Sequence, residues 1–247
     1  RIYYNAICLA QRNNGGFGLE NSPGKARNSH SVTMNCDEAH WCCTMRGGEG
    51  LGRAADYTAF KKDNELAIPF FRSVKVAEKL NAGDVNIEMS TEYPFGNGVS
   101  VNVKAAPDKK ITLSLEKTSW MKNYVVKVNG KSVKYDDADG LAKVTRRFKA
   151  GDKLTVSFEM APRYEGMVNS ENSNPGDFRV MYGPLVLACG VGDDTNVAYG
   201  EEFGGSVRES FKGNKSGVVL SPLYHLMSPK VNMAAQPPFS RRIVFTK

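Results

Sequence analysis

Cys42 and Cys43 stand side by side in the stretch MNCDEAHWCCTMRGGEGLGRAADY (34–57), with Cys36 a short way upstream. Neighbouring cysteines seldom form a disulfide with each other, because the required geometry is strained. Two thiolates directed into one site are better suited to metal ligation, or to a ligand combined with a nucleophile. The alternative reading is two small buried residues at the start of a helix. Cys36 can serve as a further ligand or as an inert loop thiol. Cys8 and Cys189 lie in apolar contexts and read as core. The five cysteines are odd in number and irregularly spaced, unlike a disulfide framework.

Other chemistry is poorly represented. RGGEGLG (46–52) lacks the Gly-Lys-Ser/Thr ending of a phosphate loop and follows no clear strand. Glu49 can act as an acid, but its place in a presumed first helical turn equally suits a dipole role. The net charge is +7. Its basic residues are scattered doublets (Lys61–Lys62, Lys109–Lys110, Arg146–Arg147, Arg241–Arg242) interleaved with acids, which describes a solvated surface and no nucleic-acid partner. No apolar run approaches the ~20 residues of a membrane span. The opening RIYYNAICLAQRNN has no initiator Met or signal peptide and reads like the middle of a helix, so a C-terminal fragment is expected.

The elements that would position the cysteines fall into two regimes. Ile2, Tyr3, Ala6, Ile7 and Ala10 recur at helical spacing, and Leu51, Ala54, Ala55 and Thr58 predict a helix ending near Phe60. From about residue 64 the period becomes two: Val85/Ile87/Met89, Val99/Val101/Val103, Ile111/Leu113/Leu115, Tyr124/Val126/Val128 and Leu154/Val156/Phe158/Met160. Gly96-Asn97-Gly98, Asn129-Gly130, Asp139-Gly140 and Gly151-Asp152 supply turns between the runs, and Asn129-Gly130 predicts a type I′ hairpin. Short strands without intervening helices predict an antiparallel β-sandwich. FRVMYGPLVLACG (178–190) and RRIVF (241–245) resume strand character after a looser stretch at 167–177.

This order of signals resembles the C-terminal part of glycoside hydrolase family 127, the β-L-arabinofuranosidases and their relatives. YYNAICLAQ (3–11) is similar to a late helix of that family's (α/α)6 barrel. HWCCTMRGGEGLGRAADY (40–57) resembles its aromatic–Cys–Cys element. STEYPFGNGVSVNV (90–103), VKVNGKSV (126–133), RRFKAGDKLTVSFEMAPR (146–163) and MYGPLVLACG (181–190) resemble patterns of its β-sandwich region. Two positions depart from the family: Thr44-Met45-Arg46 follows the pair in place of x-Pro-Asn, and His40 stands where a further Cys is frequent.

The resemblance implies a mainly β chain, with antiparallel β-sandwich modules preceded by a remnant of an (α/α)6 barrel. It implies Cys42 as nucleophile and zinc ligand, Cys43 as a second zinc ligand, and the remaining ligands and acid/base Glu upstream of Arg1. The chain alone is then incomplete for catalysis. His40 and Trp41 are weaker candidates for contacting a sugar, as are His30, Asp37 and Glu38. Tyr93, Phe95 and Trp120 form a sugar platform or fill the sandwich core. The expected layout is a barrel remnant over 1–60, a sandwich over 61–163 to which a strand near 241–245 returns, and a smaller β-module over 164–240. Expected partners are a carbohydrate substrate, drawn from arabinose-containing plant glycans, and an upstream barrel of the same protein. The expected setting is bacterial, with the periplasm favoured over the cytoplasm. A non-catalytic sandwich that binds carbohydrate or braces the barrel is the alternative.

Overall fold

The computed structural model describes residues 9–11, 17–19, 53–54, 56–166, 175–190, 196–223, 241–242 and 244–247. Strand β1 (Leu9–Gln11) pairs antiparallel with β2 (Phe17–Leu19). This overturns the expected barrel remnant: among the described residues every named element is a strand, and no (α/α)6 helix is present. A short run of Ile, Leu and Ala satisfies either period, and partners outside the run decide between them. The helix expected to end near Phe60 is likewise replaced. A single turn, closed by the Tyr57 N–H donating to the Arg53 carbonyl at 3.2 Å, leads into strand β3 (Phe60–Lys62). An apolar face this short does not sustain a helix against the strand pairing available to Phe60.

The chain divides into two compact units, Gly52–Ala161 and one made of Arg1–Leu51 with Pro162–Lys247. The first of these is a two-layer β-sandwich. Its strands after β3 are β4 (Glu65–Ile68), β5 (Val74–Leu80), β6 (Gly83–Thr91), β7 (Gly98–Ala105), β8 (Lys110–Glu116), β9 (Lys122–Val128), β10 (Lys131–Ser132), β11 (Asp136–Ala138), β12 (Leu141–Arg147) and β13 (Lys153–Glu159). One sheet runs β10-β9-β13-β7-β6-β5 and the other β11-β12-β8-β4-β3. The period-two residues point inward from both. Val85, Ile87, Val101, Val103, Ile111, Leu113, Leu115, Val126, Leu154 and Val156 are buried in one shared core. A one-residue slip would turn each strand's apolar set outward, so this alternation specifies the register.

The pairing is antiparallel except at β4 and β8, which run parallel, with Leu66 opposite Leu113 and Ile68 opposite Leu115. Parallel neighbours need a crossover. Here the chain leaves β4, passes through β5, β6 and β7 of the opposite sheet, and returns as β8. Asn129 (φ 50°) and Gly130 (φ 79°) form the left-handed pair that a type I′ turn requires, and Asp139 (φ 59°) with Gly140 (φ 75°) repeats it.

The other unit holds β14 (Pro162–Gly166), β15 (Phe178–Tyr182), β16 (Leu185–Gly190), β17 (Phe203–Gly205), β18 (Phe211–Gly213), β19 (Val219–Pro222) and β20 (Arg241–Arg242). They form one sheet in the order β14-β15-β16-β19-β18-β17, with β20 beside β16. The terminal segment also pairs with β15, through mutual backbone hydrogen bonds of 2.8 Å between Phe178 and Phe245. Cys189 on β16 is buried, as its apolar context predicts. Glu201 organises the connection around β18: its carboxylate accepts from the N–H groups of Ala198, Lys215 and Ser216, each at 2.9 Å, and from Ser216 Oγ at 2.6 Å.

Candidate functional site

Cys42, Cys43, His40 and Trp41 lie outside the described residues, as do Cys36, His30, Asp37, Glu38 and Glu49. The described chain resumes just after them, in the turn at Arg53–Tyr57, and the sandwich holds that turn through Arg72. The Arg72 guanidinium Nη2 donates both to the Ala54 carbonyl and to Thr58 Oγ1. Thr58 Oγ1 in turn donates to the Ala54 carbonyl at 3.4 Å. Arg72 sits in the crossover between β4 and β5, which carries the chain from one sheet to the other.

The same crossover is tied down one residue earlier. The Phe71 N–H donates to Glu116 Oε2 at 2.9 Å, and the Tyr93 hydroxyl donates to Glu116 Oε1 at 3.4 Å. Glu116 ends β8 and is only 7% exposed. Burial raises its pKa above the ordinary carboxyl range, against the opposing effect of the Phe71 and Tyr93 hydrogen bonds. Around it, Phe158 stacks on Phe71 at 5.9 Å and on Tyr124 at 6.0 Å, while Tyr93 meets both Phe71 and Phe158 edge-on. The Tyr124 hydroxyl donates to the Glu116 backbone carbonyl at 2.9 Å. Its pKa is pushed up by burial, with smaller contributions from Tyr135 and Glu116.

Of the sandwich aromatics, Tyr93 and Trp120 are half-buried and pack against the sandwich core. Period-two patterning could not find Glu116, because alternation along β8 assigns it to the solvent face with Thr112 and Ser114. The nearest sequence signals are Leu113 and Leu115 just ahead of it and its position at a strand end.

The metal expectation receives no support from these residues. Among the described residues no group of three or more His, Cys, Asp or Glu could hold a metal ion, and Cys189 is sealed in the core. They do not fit a tetrahedral zinc centre. The zinc expectation rests on Cys42 and Cys43.

Comparison with known proteins agrees with the sandwich. Residues 65–160 match the family model "Beta-L-arabinofuranosidase, GH127 middle domain". No curated protein sequence matches the chain. Among solved structures, a GH127 Beta-arabinofuranosidase superposes with a TM-score of 0.67 at 18% identity, covering 85% of this chain and 39% of that one. Ara127N-Se, a GH127 beta-L-arabinofuranosidase from Geobacillus Stearothermophilus T6, gives 0.63 at 17% identity, with 84% and 38% covered. A further glycoside hydrolase gives 0.55 at 19% identity, with 69% and 30% covered. At such identities the likeness is one of fold, and the chain spans about two fifths of the length of the first two structures. Over residues 65–160 the chain is related to the GH127 β-L-arabinofuranosidase family, through its middle domain.

Proposed function

We propose that this chain is the C-terminal portion of a retaining glycoside hydrolase that acts on arabinose-containing plant glycans, with Cys42 as its nucleophile. The observation that carries the reading is the middle-domain match over residues 65–160, with the Cys42–Cys43 pair a short distance N-terminal to it. Cys42 as a thiolate attacks the anomeric carbon, and the glycosidic C–O bond breaks. The aglycone oxygen takes a proton from a general acid supplied by the upstream barrel. Water then attacks the same carbon and gives a proton to the group that had acted as the acid, the C–S bond breaks, and the thiolate returns. Zinc held by Cys42 and Cys43 would keep that sulfur deprotonated at neutral pH, since a free thiol has a pKa of ~8.5. His40 and Trp41, beside the pair in sequence, are the residues we assign to contact with the sugar. The setting we propose is the bacterial periplasm, ahead of the cytoplasm.

Turnover of aryl β-L-arabinofuranosides by the intact protein, compared with its Cys42→Ala and Cys43→Ala variants, tests this. The expected result is activity that Cys42→Ala abolishes. Full activity of Cys42→Ala removes the nucleophile assignment. Absence of any glycosidase activity in the intact protein leaves the second reading, a non-catalytic sandwich that binds carbohydrate or braces the barrel. That reading is favoured by the fact that the matched residues form the sandwich alone.

A further inference from the structure

We propose that the unit containing β14–β20 carries a preformed groove for an extended peptide, and that residues 244–247 fill it as a releasable strap. The peptide class it takes has an aromatic residue followed two positions later by a cation. The hairpin pairs β15 with β16 at Met181 and Tyr182. Further back along β15, the Phe178 N–H and carbonyl bond to Phe245 instead, at 2.8 Å each. Asn196 extends this pairing by one residue. Its Nδ2 donates to the Thr246 carbonyl at 3.0 Å, and its Oδ1 accepts from the Thr246 N–H at 3.3 Å. A side-chain amide thus stands in for the neighbouring strand. The Phe245 side chain is fully buried, with its ring 5.8 Å from that of Phe178. The Lys247 ammonium lies 4.3 Å from the centroid of the half-exposed Tyr199 ring. Bonds to backbone are indifferent to sequence, so selection falls to the pocket for Phe245 and the Tyr199 face. An aromatic face attracts a cation through its quadrupole, and an anion at that position would be repelled.

The walls of this groove are held by contacts that do not involve the strap. Phe178 is paired with Gly166 of β14. The turn that carries Asn196 and Tyr199 is fixed by Glu201, whose carboxylate accepts from the Ala198 N–H at 2.9 Å. The Tyr164 hydroxyl donates to the Glu201 carbonyl at 2.7 Å. Tyr199 itself meets Phe178 edge-on at 5.0 Å and Tyr164 at 5.1 Å. The strap, by contrast, commits one side chain to the core, while Thr246 and Lys247 are exposed. Its release is therefore a local opening and not a global unfolding. A tethered segment acts at an effective concentration in the millimolar range, so a free peptide competes poorly until the strap is weakened.

The test uses the full chain, its Phe245→Ala and Lys247→Glu variants, and the double variant Phe245→Ala with Tyr199→Ala. The probe is a fluorescein-labelled, C-terminally amidated peptide RRIVFTK, titrated by anisotropy. Phe245→Ala is expected to bind it at least about tenfold more tightly than the parent, because its own strap no longer competes. Replacing the Phe of the peptide by Ala abolishes binding, replacing its Lys by Glu weakens it several-fold, and the double variant binds several-fold less than Phe245→Ala. Absence of binding to folded Phe245→Ala, or binding indifferent to the Phe of the peptide and to Tyr199, overturns the proposal. Should Phe245→Ala fail to fold, Lys247→Glu decides, since its position is exposed. It should bind the peptide more tightly than the parent and exchange its Phe245 amide several-fold faster, and no change in either overturns the proposal. The outcome is independent of Cys42 and of any glycosidase activity.

Discussion

The Phe71 backbone N–H donates to the Glu116 carboxylate at 2.9 Å, joining the crossover between the two sheets to the end of β8 in an almost solvent-free setting. Burial raises the Glu116 pKa, so the folded protein binds this proton more tightly than the unfolded chain. Its contribution is fully present below the unfolded carboxyl value and is lost as pH rises through the folded value. Glu116→Gln keeps an acceptor for Phe71 and removes the charge. Urea unfolding across a pH series should show Glu116→Gln at least as stable as the parent at neutral pH, with the slope above the ordinary carboxyl range removed. Glu116→Ala should cost about 1–3 kcal/mol, because the Phe71 N–H is then buried without a partner. Equal stability of Glu116→Ala and the parent at all pH values would contradict this account.

A second staple joins the β9–β10 hairpin turn to the connection that carries the chain from β12 to β13 in the opposite sheet. Asn129 Nδ2 donates to Asp152 Oδ1 at 2.8 Å, and the Lys153 N–H donates to Asn129 Oδ1 at 2.9 Å. The Asn129 amide, followed by the Lys149 N–H, holds the Asp152 carboxyl below its ordinary range. The sign is opposite to that of Glu116: this stability is present above the unfolded carboxyl pKa and lost as pH falls through the folded value. Asp152→Ala should lower stability by about 1 kcal/mol at neutral pH. The gap to the parent should close in acid, as read from urea midpoints. A constant gap at every pH would show that the carboxylate's charge is not responsible.

Glu201 offers a local readout. Burial opposes its ionisation, yet the Ser216 hydroxyl and the Ser216, Lys215 and Ala198 N–H groups together hold its pKa down. A Gln side chain presents an NH2 group to donors already facing that position. Glu201→Gln should therefore loosen the connection after β18 and speed tryptic cleavage after Lys215. Gly213→Ala should do the same, since a Cβ there would lie 2.4 Å from Glu201 Oε2. Unaltered cleavage in both variants would remove Glu201 as the organiser of this connection.

The sandwich was legible wherever one face of a strand is buried. Val85, Ile87 and Met89 alternate with polar residues and all three face the core. Asn129-Gly130 announces its turn because few other pairs tolerate left-handed backbone at both positions. The parallel pairing of β4 with β8 was not legible, because it depends on a return through the opposite sheet. Nor was the burial of Glu116, whose partners Phe71 and Tyr93 are distant in sequence. At Leu9–Gln11 a run too short to fix its own period was read as helix and is a strand. The cysteine pair was found by residue type and spacing, and it lies outside the described residues, which resume at Arg53.

The nucleophile assignment is tested most directly by trapping the intermediate. The intact protein is mixed with an arabinofuranoside bearing a good leaving group, quenched in acid, digested, and the peptides weighed by mass spectrometry. The account predicts one arabinosyl residue attached to the peptide containing Cys42, absent from the Cys42→Ala variant. Continued turnover with the sugar attached to another residue, or with no adduct on any peptide, would contradict it.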